Sequence, residues 1–368
     1  MDIQCIEKAK KIVAMTDAEA IADGVCVTKD YITRLKHGNK RMNDNIAKRI
    51  VRWADSIVSS PAEQEEESEL IVNLPAVNII HPHFSDTEGD EEVALLLCSD
   101  GHAGKITKSF NKNVYRERME ETFQSAMKIV NLHRHLYPIK KLVIANLGDN
   151  IQGENPHQGS KIGETECGAR DQVKSIAAPV WNDVVCSFRS EFDEVIFEGV
   201  PGNHGHDKLA PETSSYDLLL YDILQAGIGR EKGITINVHD EWYAFFKILG
   251  YKFFAFHGDG MPCQQGVPFF ALDRALKSWY MQYNGFSYAL SGHFHKAYHN
   301  AVSSRLEHFM NGSLVSDDEW VLKTLKISSH PSQTLIGVHP KRGTTWKYNL
   351  CVDDDFLMEP SDERDKEM

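Results

Sequence analysis

The chain has 368 residues, enough for one large domain with a small companion, and its apolar (42%) and charged (25%) fractions are those of a packed globular protein. Its net charge of −13 argues against a surface coated in cations for nucleic acid. Its seven cysteines, odd in number and without a CxxC pair, speak for free thiols and against a disulfide framework or a thiolate zinc site. No apolar run reaches the roughly 18 residues of a membrane helix. The opening MDIQCIEKAKKIV has no basic region leading into an apolar stretch. Cytoplasm is the expected location, with no membrane partner.

In chain order, residues 1–58 read as a small helical module. Within it Ala20, Ile21 and Ala22 would close one helix, Gly24 would make a turn, and Thr28 would cap a second helix carrying Tyr31, Ile32 and Leu35. Residues 59–70, SSPAEQEEESEL, are a solvated acidic linker with little to bury. Residues 71–352 alternate short apolar runs with helical patterns, which predicts an α/β layered fold. Residues 353–368 form an acidic tail, expected to fray. The predicted strands are Val93–Cys98, Leu142–Asn146, Glu194–Glu198, Lys252–Phe256 and Phe286–Leu290, with an antiparallel addition over Thr345–Val352. The predicted helices are Tyr115–His135, with Met119, Phe123, Met127 and Val130 at helical spacing, and Gln172–Phe188.

The residues just past the strand ends carry the chemistry. After VALLLC come Asp100 and His102; after LVIAN, Asp149; after EVIFE, Asn203 and His204; after KFFAF, His257; after FSYAL, His293 and His295. Ligands in open α/β sheets gather at the carboxyl ends of the strands. Glycine flanks nearly every one of these groups and would allow tight turns and close approach. Asp100 and His102, two apart, would point to one side of an extended segment, and so would His293 and His295. Carboxylate, amide and imidazole donors together suit manganese, iron, zinc or nickel better than calcium or magnesium.

In this combination and order, D-x-H, G-D, G-N-H, a lone H and G-H-x-H, the chain resembles the calcineurin-like metallophosphoesterase superfamily from about residue 92 to about residue 315, including the turn Asn311-Gly312-Ser313. The resemblance implies a four-layer α/β/β/α sandwich with two divalent cations at the strand ends, manganese first, with iron, zinc or nickel as alternatives. It implies that Asp100, His102 and His295 hold one cation, that Asn203, His257 and His293 hold the other, and that Asp149 bridges them. A hydroxide between the cations would be the nucleophile. His204 would lie beside the phosphate, stabilising the transition state or protonating the leaving oxygen.

Two departures narrow the reading. The family often has a carboxylate directly after G-N-H; here Gly205 follows, then His206 and Asp207, so Asp207 or a backbone carbonyl would orient His204. The arginine of the protein phosphatase branch is absent from GDNIQG, which speaks against a protein phosphatase. The motif style is closer to the nuclease and phosphodiesterase branch, which often has a histidine a few residues after G-D; His157 is a loose counterpart that comes late, and a solvated loop histidine is the preferred reading of it. Residues 17–52 resemble a helix-turn-helix, with Lys29, Arg34, Lys36, Lys40 and Arg41 placed for DNA. A small helical bundle for docking or oligomerisation is the other reading of that region. The expected activity is phosphodiester hydrolysis, with DNA as substrate; a small-molecule phosphodiesterase or phosphatase and a non-catalytic DNA-binding scaffold are the alternatives. Nuclease relatives of this kind commonly form homodimers and work with a separate ATPase, which the chain, lacking a Walker-type loop, would not itself supply.

Overall fold

The computed structural model describes residues 3–15, 21, 29–37, 42, 46–51, 54, 89–154, 164–206, 214–262, 268–319, 321–325 and 330–353. The chain divides into two compact units, Met1–Leu70 and Ile71–Met368. In the first unit the described helices are α1 (Ile3–Met15) and α2 (Lys29–Lys36). Ala9 and Val13, one turn apart on α1, pack with Ile21, Ile32, Ala47 and Ile50 in a small apolar core of this unit's own. Of the cations expected to meet DNA, Arg34 and Lys36 lie exposed in the last turn of α2 and Lys29 opens it. Lys40 and Arg41, like the expected turn at Gly24, lie outside the described residues.

The second unit is mixed α/β with two sheets. Its described elements are β1 (Val93–Cys98), α3 (Lys112–Arg134), β2 (Lys141–Asn146), α4 (Ala178–Glu191), β3 (Glu194–Gly199), α5 (Tyr216–Ile228), β4 (Ile234–Val238), β5 (Tyr243–Ile248), β6 (Tyr251–Phe256), α6 (Phe269–Gln282), β7 (Tyr288–Ser291), β8 (Tyr298–Ser303), β9 (Leu306–Met310), β10 (Ser332–His339) and β11 (Gly343–Cys351). One sheet runs β11-β10-β1-β2-β3-β4 and the other β5-β6-β7-β9-β8. Strands β1 to β4 are mutually parallel, as are β6, β7 and β9; the edges β10–β11, β5 and β8 are antiparallel additions.

Both faces of β1 are buried, which explains why its sequence is a continuous apolar run and not an alternating one. Ala94, Leu96 and Cys98 join Tyr115, Met119 and Val130 of α3, and residues of α4 and α5, in one core. Val93, Leu95 and Leu97 face the other way and meet Phe246, Phe253, Tyr288 and Phe309 of the second sheet. The far side of that second sheet buries Phe254, Phe256 and Met310 against Leu272 and Leu276 of α6. The period of two along each strand thus feeds three successive cores.

Several boundaries differ from the sequence expectation. Helix α3 starts at Lys112, because the Asn111 side chain accepts from the backbone N–H groups of Asn113 (2.8 Å) and Val114 (3.2 Å). The expected helix over Gln172–Phe188 runs longer, from Ala169 to Glu191, and its part over Gln172–Ala177 is π-helical. The strand expected from Phe286 begins at Tyr288; Phe286 instead fills the core under α6. Among the described residues, no helix is long and apolar enough to cross a membrane.

Candidate metal centre

The parallel strands of the two sheets bring the motif residues to one place. β1, β2 and β3 deliver Asp100 and His102, Asp149, and Asn203 and His204; β6 and β7 deliver His257, and His293 and His295. Three groups of ligand atoms gather within 4.8 Å: Asp100, His102 and His295; His102, Asp149 and His204; and Asp149, His257 and His293. Asp149 is shared by two of them. In the first group His295 Nε2 is 3.3 Å from Asp100 Oδ1 and 3.0 Å from His102 Nε2. In the third, His257 Nε2 is 3.0 Å from Asp149 Oδ2, 3.1 Å from Asn203 Oδ1 and 3.2 Å from His293 Nδ1. All seven expected ligands and His204 are therefore in one centre.

The backbone that achieves this is not the extended segment expected of Asp100 and His102. Asp100 (φ 52°), His102 (φ 46°), Asp149 (φ 55°), His293 (φ 70°) and His295 (φ 52°) all adopt left-handed conformations, so each side chain is turned inward individually. Such conformations cost non-glycine residues free energy and persist where the surroundings over-determine them. The adjoining glycines serve close approach. A Cβ on Gly202 would lie 2.2 Å from Asp149 Oδ1, and one on Gly292 2.7 Å from Asp100 Oδ2.

Buried hydrogen bonds fix the loops. Gln333 accepts from the Ser99 N–H (2.9 Å) and from Asn311 Nδ2 (2.9 Å), and Ser313 Oγ donates to the Asp100 carbonyl (2.9 Å). Behind Asp149, Asn146, Asn150, Tyr221 and Trp181 form a second network: Tyr221 OH donates to Asn146 Oδ1 (2.7 Å) and Trp181 Nε1 to Asn150 Oδ1 (3.0 Å). The π-helical turn presents Gln172, whose amide accepts from the Gly153 N–H (2.9 Å) and donates to the Gly153 carbonyl (3.2 Å). Asn311 and Ser313 stand out in the sequence as part of a motif; Gln172, Gln333 and Asp217, which also lies in this network, do not. The signal available for Asp217 is its place in S-Y-D, where the side chain of Ser215 caps α5.

The histidines are held in defined tautomers. His257 Nδ1 lies 2.7 Å from the Leu147 carbonyl, which only accepts, so Nδ1 carries a proton and Nε2 faces Asp149. His204 Nδ1 donates in the same way to the Gln152 carbonyl at 3.1 Å, and its backbone N–H donates to Asp149 Oδ1 at 2.7 Å. A backbone carbonyl thus orients His204. Asp207 and His157 lie outside the described residues, and His206 pairs through its backbone with Ser215.

The electrostatics call for cations. Asp100 Oδ1, Asp149 Oδ2 and His102 Nδ1 are buried without a hydrogen-bond partner, and a buried carboxylate oxygen left so is costly. Lone pairs of imidazole and carboxylate face one another at about hydrogen-bond distance. Burial disfavours a charged His257, yet Asp149 beside it, with Asp100 and Asp259, raises it to about 10. Burial lowers His204 to about 4, Asp149 pulling the other way. Burial, followed by the neighbouring His257, lowers His293 to about 4. Burial would raise Asp149, but His257 and His204 hold it well below the usual carboxylate range. Two carboxylates beside His204 and His293, whose charged forms burial disfavours, and beside His257, whose proton a bound cation would displace, are a donor set that divalent transition-metal cations fit.

A cavity of about 190 Å³ adjoins the centre, lined by Lys105, Thr107, Gln152, Glu164, Asp317 and Asp318 among others. Lys105 and Asp318 form a buried ion pair there.

No protein-family model matches the chain, and no curated protein matches its sequence. Solved structures similar to it include vacuolar protein sorting 29 from Cryptosporidium parvum, 12% identical over 71% of this chain and 100% of that one, with a TM-score of 0.33. They also include wild-type vacuolar protein sorting 29 complexed with Zn²⁺ from Entamoeba histolytica, 12% identical over 71% and 99% (TM-score 0.31). A third is the 5'-nucleotidase from Candida albicans SC5314, 11% identical over 76% of this chain and 54% of that one (TM-score 0.33). Likenesses at this level say nothing of activity.

Proposed function

We propose that the chain is a metal-dependent phosphoesterase that hydrolyses phosphodiester bonds at a pair of divalent cations, and that the bonds are those of DNA. One observation carries the phosphoesterase reading: the three ligand groups overlap in a chain, His102 linking the first to the second and the carboxylate of Asp149 the second to the third, as two neighbouring cation sites require. Asp100, His102 and His295 would hold one cation, Asn203, His257 and His293 the other, and Asp149 both, manganese being the first candidate and iron, zinc or nickel the alternatives. The α/β/β/α four-layer architecture is the one we assign to the packing around it. When bound, such a pair supplies a nucleophile at neutral pH by lowering the pKa of water, and clamps phosphoryl oxygens.

The protein's own groups do the rest. His204 is fixed by the Gln152 carbonyl with Nε2 toward the centre, 3.9 Å from Asp149 Oδ2. An anionic phosphoryl group beside it favours the protonated ring. That places one proton where a developing oxyanion, or the leaving oxygen, can take it.

The DNA reading draws on the diester-type motif set, the missing phosphatase arginine and the basic run around α2, read as a helix-turn-helix. A homodimer and a separate ATPase partner go with it. The cavity beside Gln152, about 190 Å³, is of a size for a small ligand and favours a second reading, a small-molecule phosphodiesterase or phosphatase. With manganese, single- and double-stranded DNA and bis-p-nitrophenyl phosphate are offered to the full chain and to its Arg34→Ala/Lys36→Ala variant. The DNA reading expects DNA cleavage that the variant weakens while turnover of the small diester is unchanged. Turnover of the small diester alone would replace it with the second reading; turnover of neither would remove the phosphoesterase reading.

A further inference from the structure

Asp217 carries no metal-ligand motif and lies in the first turn of α5, yet it is fully buried. Its carboxylate accepts four hydrogen bonds. Oδ1 takes the backbone N–H of Asn150 (3.0 Å) and Asn150 Nδ2 (2.9 Å). Oδ2 takes the backbone N–H groups of Asp149 (3.0 Å) and Gly202 (2.8 Å). A carboxylate offers about four lone-pair sites, so this one is saturated. Its own N–H is held by Ser215 Oγ at 3.2 Å, which fixes the side chain from below.

The donors come from two different loops: the one after β2, which holds the shared carboxylate, and the one after β3, which holds Asn203 and His204. The loops are joined once more where the His204 N–H meets Asp149 Oδ1 at 2.7 Å. Asp149 sits at φ 55°, where a non-glycine residue stays only if its surroundings hold it there. Asp217 also brings a second carboxyl group beside Asp149 at zero exposure, bonded to backbone and amide dipoles and not to a cationic side chain.

We infer that Asp217 is a positioning residue that sets the bridging carboxylate Asp149 for two cations at once, by stapling the β2 and β3 loops. This rests on the two-cation reading above. The replacement Asp217→Asn keeps shape and volume but must aim an NH₂ group either at the two N–H donors of Asn150 or at those of Asp149 and Gly202, so the four-bond staple cannot survive intact. Tyr221→Phe is the control, since it removes a hydroxyl from the same buried network, bonded to Asn146, Asn150 Nδ2 and the Val200 carbonyl, and leaves all four donors to Asp217 in place.

The probe is Mn²⁺ alone, followed by calorimetry and electron paramagnetic resonance. Wild type and Tyr221→Phe should each bind two equivalents and give the signal of an exchange-coupled pair. Asp217→Asn should bind the second equivalent roughly 10–100-fold more weakly and give the signal of isolated ions. A coupled pair retained in Asp217→Asn, or lost equally in Tyr221→Phe, overturns the inference and leaves the two-cation reading standing. No pair in the wild type removes that reading and the inference with it. Hydrogen exchange on the wild type needs no variant: the amides of Asp149 and Gly202 should already be protected without metal, and fast exchange there would overturn the staple.

Discussion

Asp100 and Asp149 invite comparison. Each follows a parallel strand of the same sheet, each is buried, and each has a left-handed backbone, φ 52° and 55°. They are held differently. The loop of Asp100 is fixed by neutral groups, Gln333, Asn311 and Ser313, and its Oδ2 accepts the His293 N–H at 3.0 Å. The loop of Asp149 is fixed by a carboxyl group, Asp217. The neutral groups hold the Asp100 loop by separate bonds; the carboxyl group of Asp217 gathers four N–H donors from two loops on one side chain. This acidic network lies behind the carboxylate that two ligand groups share, where the demand for positive charge is greatest.

That contrast can be broken by substitution. The largest effect is expected from Asp149→Asn, which weakens both cation sites: turnover of bis-p-nitrophenyl phosphate should fall at least ~10³-fold, whereas Asp100→Asn, serving one site, should fall less. Equal losses would deny Asp149 its shared role. Next comes Gly202→Ala. Its Cβ would lie 2.2 Å from Asp149 Oδ1 and 2.4 Å from the Asp149 nitrogen, so the loop must move. We expect about 1–3 kcal/mol lost in denaturant titration, with weaker Mn²⁺ binding. Gly292→Ala sets its Cβ 2.7 Å from Asp100 Oδ2 and 2.8 Å from the Ser99 side chain, both buried and hydrogen-bonded, and should cost a similar amount. Gln333→Ala leaves the buried Ser99 N–H unpaired and should cost about 1–3 kcal/mol of stability while the second equivalent of Mn²⁺ still binds tightly. Loss of the metal pair in Gln333→Ala would show that the neutral network matters as much as the acidic one. Smallest is the effect of Arg34→Ala on DNA affinity: the slope of log affinity against log salt should shrink by about 1. An unchanged slope would take α2 out of the DNA reading.

Much of this centre was legible because its chemistry is local. A metal-capable side chain beside glycine after an apolar run is visible within six or seven residues, and the run Val93–Cys98 is bounded by the same residues in the structure. The groups that support the centre were not legible. Gln333 meets Ser99 across 234 positions and Asp217 meets Asp149 across 68, and no periodicity announces such pairings. The left-handed turns were missed because Asp and His carry no sign of φ in their spacing; reading Asp100 and His102 as an extended pair gave the right direction for the wrong backbone. Strands β4, β5, β8, β9 and β10 went unassigned; β4, β5 and β8 lie at sheet edges, where sequences such as YAFFKI and YHNAVS carry weaker or mixed patterns than the buried central strands. In the first unit only an apolar stripe was readable, and a stripe distinguishes a buried face from an exposed one without naming the ligand of the exposed face.

The most direct test of the two-cation phosphoesterase is a Mn²⁺ titration of the metal-free full chain, with bis-p-nitrophenyl phosphate hydrolysis read at each addition. We predict two equivalents bound per chain and hydrolysis that appears with the second. Saturation at one equivalent, or two equivalents bound with no hydrolysis of any diester offered, would contradict the two-cation phosphoesterase.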